Sequence, residues 1–146
     1  MFKNGCVFCD DVVRHHRASI VYEDDYTMAF MDIAPVESGH VLVIPKDHFV
    51  NIFDIDSSRF AKVHELSRVL SKAVMKAVGA DAINIGQNNG PCANQRVMHY
   101  HLHIIPRWCD RHLNWERGEA DGDELDSVAG MIRDVFQEFE EELNFQ

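Results

Sequence analysis

Residues 97–106 read Val-Met-His-Tyr-His-Leu-His-Ile-Ile-Pro, an apolar run with a histidine at every second position. A β-strand points successive side chains to opposite faces, so this spacing predicts that His99, His101 and His103 share one face. Neighbouring imidazoles would then lie roughly 6.5–7 Å apart. The apolar side chains at positions 100, 102 and 104 would face the core. We therefore expect the chemistry of this protein on the histidine face of the strand.

The length and composition fit one globular domain. The chain has 146 residues, of which 46% are hydrophobic, and this is enough to bury a core without the help of disulfides or other cross-links. We expect residues 1–115 to form the domain core and residues 116–146 to form an acidic helical extension packed on the same domain.

The charge is distributed unevenly. The formal net charge is −10, and eleven of the 24 acidic residues lie in the segment 116–142. That segment is most simply a solvated helix face, and residues 1–115 are close to neutral. No basic stripe suits polymeric nucleic acid, whereas a small nucleotide remains admissible. No run approaches the ~18 apolar residues of a membrane span, and residues 1–6 lack a secretory signal, so we expect a cytoplasmic protein without membrane contact.

The chain alternates between strand and helix patterns. Strand patterns cover residues 20–23, 26–31, 41–44, 82–86 and 97–106, the first two forming a hairpin. A long helix is predicted to begin at Asp56 or Ser57 and to stop at Gly79. Its apolar stripe comprises Phe60, Val63, Leu66, Leu70, Ala73, Val74 and Ala77. The order predicts an α+β fold around a mainly antiparallel sheet of five to six strands, with this helix at its centre.

A last helix is predicted beyond a polar stretch that follows Arg107. Asp121 and Asp123 suit its first turn. Its buried face would comprise Leu125, Val128, Ala129, Ile132, Phe136, Phe139 and Leu143.

A second constellation is Cys6-x-x-Cys9 near the N-terminus. Two thiolates at this spacing can share a metal ion, but a tetrahedral zinc would need two further ligands. In a chain without a signal peptide the pair favours metal binding or redox chemistry over a structural disulfide. Cys92 and Cys109 have no matching partner and are interpreted as isolated thiols.

The histidine run resembles the signature of the histidine-triad (HIT) superfamily, His-x-His-x-His followed by two apolar residues, at residues 99–105. The resemblance continues upstream through residues 21–24, 29–35, 39–46 and 88–90, so it covers most of residues 6–107. It implies the HIT-like fold and a homodimer.

The resemblance also implies cleavage at the α-phosphate of a nucleoside phosphoramidate or dinucleoside polyphosphate. His101 would attack the phosphorus and carry the nucleotide until water releases it. A neutral imidazole is already nucleophilic near pH 7, which suits this role. His103 would lie beside the phosphate or the leaving group and offset the developing charge. His40 matches the position that faces the triad.

The same resemblance suggests a binding site for a small nucleotide, a purine nucleotide, with no organic cofactor. Asp32 would hold the ribose hydroxyls, and Asn88 and Gln95 would contact phosphate. The base slot would comprise Phe8, Phe30 and Ile33. Two simpler interpretations stay open: Asp32 caps a turn before a proline, and the three apolar residues belong to the core.

Zinc-containing relatives imply a ligand set of Cys6, Cys9, His48 and His99. A structural zinc there would clamp the N-terminal segment to the sheet and fix His99, leaving His101 free for chemistry. A pair of free thiols is the alternative.

The sequence departs from the family pattern in the loop before the histidines. Asn94 stands where glycine is usual, and Arg96 where a small hydroxyl residue is common. A side chain at position 94 restricts the loop. The Arg96 guanidinium either binds additional phosphates or faces solvent.

Two other classes of function remain open. The three histidines together could ligate a catalytic metal ion, completed by Asp32 or His40. Alternatively, the protein binds a nucleotide or a partner as a scaffold with little turnover.

Overall fold

The computed structural model describes residues 2–144. Its elements in chain order are a π-helical turn (Phe8–Arg14), β1 (Ile20–Glu23), β2 (Thr27–Met31), β3 (Val41–Pro45), α1 (Ser57–Val78), β4 (Ala82–Gly86), a 3-10 turn (Pro91–Ala93), β5 (Leu102–Arg107), α2 (Gly122–Phe136) and a second 3-10 turn (Glu140–Glu142). Residue 1 and residues 145–146, the outer ends of the two predicted regions, lie outside the described residues.

The five strands form one sheet in the order β1-β2-β3-β5-β4, and every neighbouring pair is antiparallel. The predicted α+β architecture is therefore confirmed. In this register, Leu42 of β3 and Gly86 of β4 flank His103 on β5. Because paired residues share a face, the histidine face of β5 continues onto both neighbouring strands.

The two faces of the sheet carry different clusters of buried side chains. The larger cluster lies between the sheet and the helices and contains Tyr100, Leu102 and Ile104, as the strand pattern predicted. The opposite face carries a smaller cluster that includes Phe8 and Phe30. Residues of β2 and β3 are buried throughout because both faces of these strands are covered. The histidines therefore lie on the less heavily covered face.

The first helix has the predicted ends. The Asp56 side chain accepts a hydrogen bond from the backbone N–H of Arg59 at 2.8 Å. The helix ends at Gly79, whose φ of 67° is left-handed, as is common for glycine beyond a C-terminus. Phe60 does not join the core: it is 37% exposed and packs against the ring of His64.

The histidine strand is shorter than predicted. It begins at Leu102, so His99 and His101 lie on the segment that leads into it. The rings of His101 and His103 are 5.0 Å apart between centroids, closer than the expected spacing, and they meet edge to face with an interplanar angle of 65°. His99 and His101 therefore lie outside the hydrogen-bonded part of the strand but on the same face of the sheet as His103.

The C-terminal helix packs onto the larger core. Leu125, Ala129, Ile132 and Phe136 are buried in the same cluster as the inner face of α1. The helix ends at Phe136, so the predicted positions 139 and 143 pack from the turns that follow it. Among residues 2–144, none of the helices combines the length and the hydropathy that crossing a bilayer would require.

Removal of the Ile132 side chain tests whether α2 is part of one cooperative unit. The side chain is fully buried, so we expect Ile132→Ala to lower the free energy of unfolding by about 2–5 kcal/mol, measured by urea denaturation. Met131→Ala is the matched control, because Met131 is 45% exposed and its truncation should change stability by less than about 0.5 kcal/mol. A separate transition for α2, with the main transition unmoved, would contradict a single unit.

Candidate active site

A cleft of about 760 Å³ lies on the histidine face of the sheet. Its lining includes the polar side chains of Asp32, His40, His101 and His103 and apolar side chains such as that of Phe8. The cleft therefore combines ionisable groups with an apolar surface, the composition that small-molecule sites usually have.

His101 is held in one tautomer. The residue is 7% exposed, and its Nδ1 lies 2.7 Å from the carbonyl oxygen of His99. Because a carbonyl only accepts, Nδ1 carries the proton and Nε2 keeps a free lone pair. Burial lowers the pKa of His101, so the ring is uncharged near neutral pH. A neutral imidazole with an oriented lone pair is suited to nucleophilic attack.

His40 and His103 form a chain of hydrogen bonds. The backbone N–H of Val36 donates to His40 Nδ1 at 3.2 Å, so the proton of the His40 ring is on Nε2. That nitrogen lies 2.8 Å from His103 Nδ1, which must accept. The proton of His103 is therefore on Nε2. Burial lowers the pKa of His40 to about 4 and that of His103 to about 3. The chain thus presents a neutral N–H donor at His103.

His99 is directed away from this chain. Its Nε2 lies 2.8 Å from the carbonyl oxygen of Pro45 and donates to it, and its Nδ1 lies among sulfur atoms. Burial lowers the pKa of His99 to about 4, which keeps this ring neutral too. The three histidines do not converge on one point. The geometry therefore does not favour the interpretation in which all three ligate one metal ion.

The second cluster brings together Cys6, Cys9, His48 and His99, with their ligand atoms all within 4.8 Å of one another. Sulfur-to-nitrogen distances are 3.4 Å from Cys6 to His99, 3.5 Å from Cys9 to His99 and 3.6 Å from Cys9 to His48. The two Nδ1 atoms are 3.2 Å apart. A tetrahedral zinc with ordinary bond lengths separates its ligands by roughly 3.3–3.8 Å. The four residues fit such an ion.

The electrostatics of the cluster also suit a cation. Burial raises the pKa of the Cys9 thiol to about 11, so a bound cation is what would stabilise its thiolate. Cys92 and Cys109, by contrast, are exposed free thiols that belong to neither of the potential metal-binding groups found among residues 2–144.

Asp32 satisfies both interpretations that its sequence position allowed. Its Oδ1 accepts from the backbone N–H of Ala34 at 2.9 Å, so it caps the turn, and it also lines the cleft. Arg117 Nη2 donates to both of its oxygens, at 2.8 and 2.7 Å. Sequence reasoning missed Arg117, because it lies 85 residues away in a segment interpreted as solvated. No local signal connects the two.

The predicted phosphate contacts differ in placement. Asn88 lines the cleft. Gln95 is 3% exposed, and its amide donates to the carbonyls of Val50 and Val97 and accepts from the N–H of Gly90. The structure therefore uses the Gln95 side chain to hold the loop together and does not bring it to the cleft wall.

The predicted base slot is partly core. The rings of Phe8 and Phe30 meet edge to face at 5.3 Å, and both residues belong to the smaller core cluster while also lining the cleft. Ile33 is 74% exposed at the rim, so it is not a core residue.

The unusual loop residues are accommodated differently. Asn94 adopts a left-handed backbone with φ of 67°, which asparagine tolerates better than most residues. This explains how a side chain stands at a position where glycine was expected. Arg96 lines the cleft.

Comparison with known proteins agrees with this geometry. A HIT domain family model matches residues 13–109. The chain is 33% identical to the adenosine 5′-monophosphoramidase of Saccharomyces cerevisiae over 124 residues, which cover 83% of this chain and 76% of that protein. It is 37% identical to the adenylylsulfatase of Arabidopsis thaliana over 105 residues, 72% of this chain and 53% of that protein.

Solved structures match as well. A Zn-bound histidine triad family protein from Mycobacterium smegmatis has a TM-score of 0.84 at 31% identity, with 94% of this chain and 97% of that chain covered. A Hit-like protein from Bartonella henselae has a TM-score of 0.83 at 36% identity, with 92% and 98% covered. The matched region contains the histidine run and most of the residues that line the cleft. This chain belongs to the HIT family.

Proposed function

We propose that this protein is a nucleotide hydrolase or nucleotidyl transferase that cleaves at the α-phosphate of a nucleoside phosphoramidate or dinucleoside polyphosphate. The observation that carries this proposal is the His101 ring, whose Nδ1–H donates to the His99 carbonyl and whose Nε2 therefore keeps its lone pair. The names of the yeast and Arabidopsis relatives, a phosphoramidase and an adenylylsulfatase, support cleavage of a bond to a nucleotide phosphorus.

The proposed reaction has two displacements. His101 Nε2 attacks the α-phosphorus, and the bond from phosphorus to the leaving nitrogen or oxygen breaks. His103, which has its proton on Nε2, donates a hydrogen bond to the departing group or to a phosphate oxygen. A departing amine takes up one proton from solvent. Water then attacks the nucleotidyl–His101 intermediate, the P–N bond to the ring breaks, and one proton returns to solvent. Splitting one displacement into two lowers each barrier.

The nucleotide would occupy the cleft with its ends in different surroundings. The base lies against Phe8 and Phe30, with Ile33 at the rim, and a purine has the area to cover this surface. The ribose lies at Asp32, and the phosphate near Asn88. This pose places the phosphate beside the lone pair of His101 and the N–H donor of His103.

We also propose a structural zinc ion at Cys6, Cys9, His48 and His99. It would hold the N-terminal turn, which carries Phe8 into the cleft wall, and it would fix His99, whose carbonyl orients His101. The fit of the four ligand atoms and the Zn-bound relative support this role. In this arrangement the metal supports the site without contacting the substrate.

The dimer implied by the family resemblance is proposed as well. Strand β4 is a sheet edge, and its Ile85 side chain is 49% exposed. An edge strand with an exposed apolar side chain is a surface that a second copy can cover. Sedimentation velocity measures this assembly directly.

Substitution of the histidines tests the roles in the reaction. We expect His101→Ala to abolish turnover of adenosine phosphoramidate, and His103→Ala to reduce it by about 10²–10⁴-fold because only a positioned donor is lost. His112→Ala, at an exposed position outside the cleft lining, should retain wild-type rates. Single-turnover kinetics and mass spectrometry after a rapid quench would detect nucleotide on His101. Turnover by His101→Ala at wild-type rates would overturn the mechanism.

Metal analysis tests the zinc proposal. We expect one zinc per chain by elemental analysis, and Cys9→Ser should lose the ion and lower the melting temperature, because ligand removal leaves a buried cluster unsatisfied. Cys92→Ser replaces an exposed cysteine and should change neither quantity. A wild-type protein purified without chelators, saturated with zinc salt and still free of zinc, would exclude the site.

Substrate class is tested at Arg96. Arg96 lines the cleft, and a guanidinium suits additional phosphates, so we propose that dinucleoside polyphosphates are favoured over phosphoramidates. We expect Arg96→Ala to reduce kcat/KM for diadenosine tetraphosphate by about tenfold or more, with a much smaller effect on adenosine phosphoramidate. Equal losses for the two substrates would show that Arg96 does not select between them.

A further inference from the structure

Arg117 reaches the cleft from the segment that follows β5. The segment is fixed beside the cleft by a hydrogen bond from the N–H of Gly118 to the carbonyl oxygen of Pro35, at 2.7 Å. A Cβ atom at position 118 would lie 2.8 Å from that same oxygen, so a side chain there would force the backbone to move. The guanidinium of Arg117 is thereby brought to Asp32 by a closely packed backbone.

Asp32 has few acceptor positions left. A carboxylate oxygen accepts about two strong hydrogen bonds. Oδ1 already accepts from the N–H of Ala34 and from Arg117 Nη2. Oδ2 accepts from Arg117 Nη2 and lies 3.5 Å from His40 Nε2. With Arg117 in place, the carboxylate offers one well-formed acceptor position at most, on Oδ2.

The vicinal diol of a ribose donates best to a carboxylate when each hydroxyl has its own acceptor position. Here one hydroxyl finds an acceptor on Oδ2, and the second has none on Oδ1. A 2′-deoxyribose has only one of the two hydroxyls. Its loss of binding affinity relative to ribose is therefore smaller at Asp32 than at a carboxylate that is not paired with an arginine.

We propose that Arg117 determines sugar specificity in the cleft: by capping Asp32, it reduces the preference for ribonucleotides over 2′-deoxyribonucleotides. This inference rests on the proposed function, in which a nucleotide binds with its ribose at Asp32. It predicts a chain that accepts both sugars with similar affinity, whereas the same cleft without the cap would select ribose.

The pairing of Arg117 leaves room for a ligand. Both of its bonds to Asp32 come from Nη2 alone, and within residues 2–144 its Nη1 and Nε have no hydrogen-bond partner. These N–H groups remain available to the phosphate oxygens of a bound nucleotide, which AMP and 2′-deoxy-AMP share, so they leave the sugar preference unchanged. The guanidinium also neutralises the Asp32 charge, so an anionic nucleotide is not repelled when the cap is in place.

The test is the ratio of two dissociation constants, for 2′-deoxy-AMP and for AMP, measured by calorimetry. We expect a ratio of about threefold or less in the wild type, and Arg117→Met to raise it about tenfold, the change expected for one hydrogen bond to a charged acceptor. Because both constants come from one preparation, a partly unfolded sample does not alter the ratio. Arg117→Gln, which keeps one donor, should give an intermediate ratio and serves if the methionine variant fails to fold.

Two controls isolate the cap. Arg111→Met removes an arginine of the same segment that stacks on Trp108 outside the cleft, and it should leave the ratio unchanged. Adding Asp32→Asn to Arg117→Met should return the ratio to within about threefold of wild type, since the two-oxygen acceptor is gone.

The outcomes separate this inference from the function on which it rests. AMP binding with the same ratio in wild type and Arg117→Met would overturn the role of Arg117 and leave the proposed function standing. Failure of the wild type to bind either nucleotide would overturn the proposed function and this inference with it.

Discussion

The hydrogen bond from His101 Nδ1 to the carbonyl oxygen of His99 connects the two halves of the candidate site. It decides which nitrogen of His101 has a lone pair. It also makes the orientation of that ring depend on the backbone at His99, whose side chain lies in the Cys6–Cys9 cluster. The short segment from His99 to His101 therefore connects the Cys6–Cys9 cluster to the cleft. Displacement of His99 would move the atom on which the proposed chemistry depends.

The main hydrophobic core and the candidate active site lie on opposite faces of the sheet. The large core between the sheet and the helices contains the intervening residues Tyr100, Leu102 and Ile104, while the histidines face the opposite side. Among residues 2–144, side chains of the N-terminal turn and of loops pack on that side. A cleft can exist there because the larger of the two core clusters lies on the other face, and burial of apolar surface is the dominant favourable term in folding.

Burial is the common cause of the electrostatics of the cleft. It lowers the pKa values of His40, His101 and His103, and it makes an isolated carboxylate costly. The structure compensates the buried Asp32 with Arg117 from the C-terminal segment. The acidic extension, which composition alone assigns to solvent, thus supplies one positive charge to the cleft wall, and its helix packs on the larger core.

The sequence by itself determined the alternation of polar and apolar residues in the strands and the shared face of the histidines. It also determined the ends of the first helix at Asp56 and Gly79. These features depend on local periodicity and capping. Through spacing and the family resemblance, it also identified the four residues of the Cys6–Cys9 cluster, which are Cys6, Cys9, His48 and His99. Only the tertiary structure decided that Gln95 holds its loop, that His99 turns away from the other histidines, and that Arg117 caps Asp32. These outcomes depend on contacts between distant segments, where hydrogen-bond partners and burial are set by packing and leave no periodic trace in the chain.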